Sequence, residues 1–242
     1  MSYGQFNEDG FILSQYTQSF GYAIEVGGAD GINGSPTKCL EDLGWKTLLI
    51  EPNNELVREA KKHRPYVYQC AAGDENVDDV GITIYTLKGG NETACSGLNP
   101  DIKLVEQHQH LIEDQRVELV NKRTLNSLIN KWEFDLGEPI PNIDFVSIDT
   151  EGTELDVMKG LDVKKYQPKI IALENNFEDH NYRRTMYNYG YILYERIGVN
   201  DYYIHNTYLP TNATGQLDLT DTPIVKHIQQ QQREQNPNVW NK

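Results

Sequence analysis

One glycine-rich turn and two acidic turns hold the residues of this chain that could do chemistry. Glu25-Val26-Gly27-Gly28-Ala29-Asp30-Gly31 follows a short apolar run and precedes an amphipathic one. Glycines there let the backbone turn sharply and approach a ligand closely. Glu51 closes the next apolar run, where a carboxylate can accept from both hydroxyls of a ribose. The glycine order is not the G-x-G-x-x-G that seats a pyrophosphate, and Glu25 and Asp30 would repel one. Beside a sulfonium or an α-ammonium group the same carboxylates attract. The pattern favours S-adenosylmethionine over a nicotinamide dinucleotide.

The second turn is Ser147-Ile148-Asp149-Thr150-Glu151-Gly152-Thr153-Glu154. Asp149 ends an apolar run, which places its carboxylate at the mouth of a sheet, where open α/β sheets take ligands. Glu151 and Glu154 fall in a first helical turn, where negative charge suits the helix dipole. The third turn, Leu173-Glu174-Asn175-Asn176-Phe177-Glu178-Asp179-His180, follows the next apolar run. Asp149, Glu174 and Asn175 are hard oxygen donors of the kind Mg²⁺ or Mn²⁺ takes. An ion there would lower the pKa of an acceptor hydroxyl. His180 titrates near neutrality and stands close to the strand end, as a general base should. His108 and His110 read as surface residues.

These turns need a scaffold, and strand-length apolar runs alternate with amphipathic stretches as in an α/β fold with a largely parallel sheet. Strands are expected at 21–26, 47–50, 66–70, 143–148 and 169–173, with 191–196 and 202–205 as a closing antiparallel pair. Helices are expected at 7–18, 35–43, from Asn53 or Asn54 to about 63, at 124–132 and at 153–161. Pro65 stops the third of these. The stretch 88–118 gives no clear element. Residues 1–210 read as one domain. Residues 211–242 read as a polar, Gln-rich arm, either disordered or docking on a partner subunit, in which Ile224, Val225 and Ile228 could dock one helical turn.

The chain has 242 residues, with 36 acidic against 22 basic side chains and a net charge of −14. The arm is charge-neutral, so the surplus lies in the body. That field disfavours nucleic acid and anionic membranes. No run is long and apolar enough to span a bilayer, and the N-terminus has no signal-peptide pattern. Cys39, Cys70 and Cys95 are too widely spaced for a metal clip and read as inert thiols. The expectation is a cytoplasmic protein, with a homo-oligomer left open.

Taken together, Gln5-Phe6-Asn7-Glu8-Asp9, Ile24 through Gly31, Leu43-Gly44-Trp45, Leu49-Ile50-Glu51-Pro52-Asn53 and Phe145 through Glu154 resemble the FkbM-type methyltransferases. Gly190-Tyr191 and Asn200-Asp201-Tyr202-Tyr203 are similar to that family's closing segment, so the likeness runs over about 3–208. The resemblance implies a class I methyltransferase (Rossmann-like) fold, with a seven-stranded, mostly parallel sheet, one antiparallel strand and helices on both faces. It implies S-adenosylmethionine as donor and usually O-methylation. By the same likeness Glu25, Gly27, Gly28, Asp30 and Gly31 line the methionine part. Glu51 holds the ribose with Pro52 and Asn53 beside it, and Ala71, Ala72 and Asp74 border the adenine. Asp149 and Glu151 face the methyl group and the acceptor.

The resulting expectation is an O-methyltransferase acting on a small-molecule hydroxyl, a sugar or glycan precursor, with His180 as candidate base. Two other readings stand beside it. One is a non-catalytic S-adenosylmethionine-binding scaffold. The other is an NAD-dependent sugar dehydrogenase or epimerase, against which the glycine order counts.

Overall fold

A computed structural model describes residues 2–89, 96–211, 218–219 and 222–226. The chain begins with α1 (Asp9–Ser14), β1 (Tyr22–Val26), α2 (Lys38–Asp42), β2 (Lys46–Glu51), α3 (Asn54–Ala60) and β3 (Val67–Gln69). Then come β4 (Ala71–Ala72), β5 (Val77–Leu87), α4 (Ile102–His108) and β6 (Ile112–Arg123). The second half runs α5 (Leu125–Leu136), β7 (Phe145–Ile148), α6 (Glu154–Lys159), α7 (Val163–Tyr166), β8 (Ile170–Glu174), α8 (His180–Asn188), β9 (Tyr191–Ile197) and β10 (Asn200–His205).

Seven strands form one sheet in the order β3-β2-β1-β7-β8-β10-β9. The pairs from β3 to β8 are parallel, and β10 runs antiparallel to both its neighbours. This is the class I methyltransferase topology. Central strands are covered on both faces, so β1 and β7 are buried at every position and are apolar but for Glu25 and Ser147. One face packs under α5 to α8 around Trp132, Tyr166, Tyr191 and Tyr203. The other packs Ile12, Leu40, Trp45 and Tyr202 under α1 and α2. Strand order reverses between β1 and β7, which opens a crevice at their carboxyl ends.

Every expected strand forms, with ends shifted by a residue or two. The expected helices all form; four are shorter, among them α1, which covers only the middle of 7–18 because Gln15 already ends it, and α5 is longer, running on from the expected 132 to Leu136. Asn53 is the cap of α3, accepting from the Glu55 and Leu56 N–H groups. The stretch 88–118 is not featureless: part of it belongs to α4 and β6. β4, β5 and β6 form a second, three-stranded sheet that overhangs the crevice, and Ile82 and Ile84 of β5 turn inward onto the cavity. Cys39 and Cys70 are buried free thiols, which burial pushes up to about 12; Cys95 lies outside the described residues. Of the arm, residues 223–226 make a helical turn whose Ile224 packs on the core, while the Gln-rich run and Ile228 lie outside the described residues. No helix among the described residues is long and apolar enough to cross a membrane.

Trp132 is wholly buried, edge-on to the Tyr22 and Tyr66 rings at 5.9 and 6.2 Å. Trp132→Ala is expected to remove about 3–5 kcal/mol of stability, read as a shifted urea midpoint with an unchanged slope.

Candidate functional site

The crevice holds a cavity of about 440 Å³ whose floor is made by the loops after β1, β2, β7 and β8. That is room for a nucleoside cofactor with an acceptor beside it. At its centre the β1 loop meets the β7 loop. Gly27 has φ +78°, and a Cβ there would lie 1.7 Å from the Asp149 carbonyl oxygen. Only glycine permits this approach. Ala29 is also left-handed, with φ +44°, and completes the turn.

Two carboxylates hold that turn in place. Glu51 accepts from the Ala29 N–H at 3.0 Å and from the Asn53 N–H at 2.8 Å. Burial pushes its carboxyl up to about 7, against the pull of those two N–H groups. Asp30 accepts from the backbone N–H groups of Ile32 and Asn33, at 2.9 and 2.8 Å. Partial burial works against its ionised form, yet these bonds hold it below the usual carboxylate range. Glu25 is 3% exposed. Its Oε2 accepts from the hydroxyls of Ser35 and Thr37 and from Arg64 at 3.4 Å.

Arg64 gave no signal in the sequence beyond standing before a proline, yet its side chain is 0% exposed. Its Nε donates to Glu41 at 2.8 Å, Nη1 to the Gly31 carbonyl at 3.0 Å and to Ser35 at 2.9 Å, and Nη2 to Thr37 at 2.7 Å. Gly31 therefore serves the arginine from behind the loop and is not on the cavity wall.

Across the floor, Asp149, Glu151 and Glu174 bring one carboxylate oxygen each within 4.8 Å of one another. Burial, with Glu174 and Glu154 alongside, holds the Asp149 carboxyl well above the usual range. Burial also pushes Glu174 up to about 8, with Glu151 and Glu154 adding to it. A side-chain hydrogen bond joins Asp149 to Glu174, which two carboxyl groups make only with a proton between them. Glu151 is held left-handed at φ +59°. Glu154 shapes that turn: its Oε1 accepts from the N–H groups of Thr150 and Gly152, and its Oε2 from the Tyr182 hydroxyl at 2.6 Å.

The cavity walls thus gather Glu25, Gly27, Gly28 and Asp30, then Glu51, Pro52 and Asn53, then Ala71 and Ala72, and finally Asp149, Glu151 and Glu174. Three expected site residues, besides Gly31, stand elsewhere. Asp74 is exposed and bonded to Lys122 at 3.1 Å, because the chain turns outward after β4. Asn175 faces away from Glu174, as successive residues at a strand end do. Its amide donates to Asp201 and accepts from the Asp179 N–H, both at 2.8 Å, so Glu151 takes the place expected for it beside Asp149 and Glu174. His180 opens α8, exposed, in a separate depression with Arg183 and Arg196; the helix carries it off the cavity. His108 closes α4, its Nδ1 bonded to the Leu104 carbonyl, and His110 is exposed.

Fold and cavity together define a class I methyltransferase scaffold. The profile of the methyltransferase FkbM domain matches residues 25–193, and the chain belongs to this family. No curated protein matches the chain significantly in sequence. Similar solved structures include M. capricolum TrmK in complex with S-adenosyl-homocysteine, at 14% identity and a TM-score of 0.37, over 80% of this chain and 65% of that one. The chain therefore spans just under two thirds of that protein's length. Another is a SAM-dependent methyltransferase from Aquifex aeolicus, at 10% identity and a TM-score of 0.39, over 81% of this chain and 89% of that one.

Replacing Arg64 by methionine leaves Glu25 and Glu41 buried without their shared cation, which should cost about 3–5 kcal/mol. Denaturant unfolding of Arg64→Met at neutral pH measures it, and a loss under about 1 kcal/mol would show that the network is not needed for stability.

Proposed function

We propose that this chain moves the methyl group of S-adenosylmethionine to a hydroxyl of a small molecule, a sugar or glycan precursor. The observation that carries the reading is the meeting, in one cavity, of the Gly27 turn and Glu51 with Asp149, Glu151 and Glu174. In this reading Ala71 and Ala72 border the adenine, Glu51 accepts from the ribose hydroxyls, and Glu25 and Asp30 lie by the α-ammonium group. The sulfonium then faces Asp149. Among the described residues the walls carry no Lys, Arg or His, which suits a cationic donor and an uncharged acceptor better than a phosphorylated one.

The acceptor oxygen attacks the methyl carbon in line with its bond to sulfur. The C–O bond forms as the C–S bond breaks, sulfur keeps the electron pair as a neutral thioether, and the hydroxyl proton passes to the Asp149–Glu174 pair. Positioning the two reactants supplies most of the rate. Glu151, on the same rim, orients the hydroxyl. With His180 off the cavity, the proton-accepting role falls to this pair.

The convergence of three carboxylates favours one further element. Asp149, Glu151 and Glu174 present hard oxygen donors that fit Mg²⁺ or Mn²⁺, and such an ion would lower the pKa of a hydroxyl bound to it. Methyl transfer that survives exhaustive chelation would remove the ion from the mechanism.

Methyl transfer from labelled S-adenosylmethionine to a panel of monosaccharides, methyl glycosides, nucleotide sugars and small phenols tests the activity. Glu174→Gln, which removes the member of the pair that accepts the proton, is expected to keep S-adenosylhomocysteine binding within about threefold and to lose more than about a hundredfold in turnover. Binding of the cofactor with no turnover on any acceptor would instead support a scaffold.

Cofactor affinity should also depend on pH through Glu51. Ribose hydroxyls donate to its ionised form, and a carboxyl with a pKa of about 7 is mostly protonated at pH 6. S-adenosylhomocysteine should therefore bind about tenfold tighter at pH 8 than at pH 6. In Glu51→Gln, calorimetry should find weaker binding and a flatter profile.

A further inference from the structure

Gln5 lies outside the span 25–193 that the family profile matches, yet it forms part of the cavity wall. It is carried there by a strap, residues 3–9, fastened at both ends. At one end the Gly34 N–H donates to the Tyr3 carbonyl at 2.9 Å, and the Tyr3 hydroxyl donates to Asp42 at 2.7 Å. At the other, the Phe6 ring lies so close to the turn between β9 and β10 that a Cβ at Gly198 would stand 2.4 Å from it. Glu8 and Asp9, 2% and 6% exposed, fold back on the strap itself. Asp9 accepts from the N–H groups of Tyr3 and Gly4, and Glu8 from that of Phe6. Buried carboxylates spent on a short segment's own amides fix its path, and Gln5 sits between the two fastenings.

The chemistry of the wall around it is one-sided. Six carboxylates line the cavity (Glu25, Asp30, Glu51, Asp149, Glu151 and Glu174), and among the described residues no Lys, Arg or His does. The Arg64 guanidinium is sealed behind the glycine turn. An α-amino acid entering this space brings an ammonium group, which the carboxylates suit, and a carboxylate, which they repel. That carboxylate needs neutral N–H donors. Near Asp30 and Gly34 the wall offers two side-chain amides. Asn33 already donates to Asp30 at 2.6 Å, whereas the Gln5 amide has no hydrogen-bond partner among the described residues.

We infer that Gln5 binds the α-carboxylate of the cofactor's amino-acid moiety, donating from Nε2, and so completes the methionine end of the site from outside the matched domain. This rests on the S-adenosylmethionine reading above. It makes Gln5 the residue by which the protein tells the whole cofactor from its nucleoside part.

Calorimetric titration with two ligands tests it without any acceptor. S-adenosylhomocysteine carries the amino-acid moiety; 5′-methylthioadenosine has the same nucleoside and a thioether but lacks that moiety. A charge-assisted hydrogen bond lost in Gln5→Ala should weaken S-adenosylhomocysteine about tenfold or more, and methylthioadenosine by less than about twofold. Gln5→Glu, which sets carboxylate against carboxylate, should weaken S-adenosylhomocysteine further and again spare methylthioadenosine. Unchanged S-adenosylhomocysteine affinity in Gln5→Ala overturns the inference. Equal weakening of both ligands overturns it too, because the strap would then act only by shaping the cavity. If the unaltered protein binds neither ligand, the S-adenosylmethionine reading itself fails, and this inference with it.

Discussion

The buried Arg64 guanidinium is the interaction on which the site depends. Its donors reach Glu25 at the end of β1, Glu41 at the end of α2, the Gly31 carbonyl in the turn and the hydroxyls of Ser35, Thr37 and Thr47. It thereby ties the last residue pair of a central strand to the helix that follows, from behind the loop. A buried ion pair of this kind adds little net stability over an apolar substitute, yet is costly to break from one side. What it provides here is a fixed path for the glycine turn. With Oε2 of Glu25 spent on that network, only the second oxygen of the carboxylate is left for the cavity.

Concentrating carboxylates at one rim is expensive, and the chain limits the cost in three ways. Backbone N–H groups absorb some of the charge, as at Glu51, Asp30 and Glu154. A cation sealed behind the loop absorbs part of Glu25. A shared proton removes charge at Asp149 and Glu174. Each device leaves the cavity lining, among the described residues, without a basic group. The surface facing a ligand is consequently selective for positive charge, which links the net charge of −14 to the donor expected at the site.

How much of this the sequence discloses follows from the same physics. Strands buried on both faces read as unbroken apolar runs, so β1, β2, β7 and β8 and the turns that follow them are legible. β5 and β6 are half-exposed, with Val117 and Leu119 turned to solvent among charged neighbours, and their alternation is diluted enough to be passed over. Arg64 is not legible because nothing local marks its burial; its partners lie 17 to 39 residues away. The error at Asn175 has a different origin. The pleat sends adjacent side chains to opposite sides, so an oxygen donor next to Glu174 in the sequence does not share its face of the sheet.

The pleat also accounts for the pair that does converge. Asp149 and Glu151 are two apart, so an extended path would keep both on one side, and the left-handed turn at Glu151 could have undone that. It does not, because Glu154 reaches back to the Thr150 and Gly152 N–H groups and Tyr182 of α8 fixes its other oxygen. The Glu151 carbonyl is held in turn by the Asp101 N–H at 2.9 Å. A carboxylate that sequence reasoning assigns to the helix dipole is therefore the brace for the turn that presents Asp149 and Glu151 to the cavity. The spacing Asp149, Glu151, Glu154 is better understood as two carboxylates that line the cavity and the one that holds them at their angle.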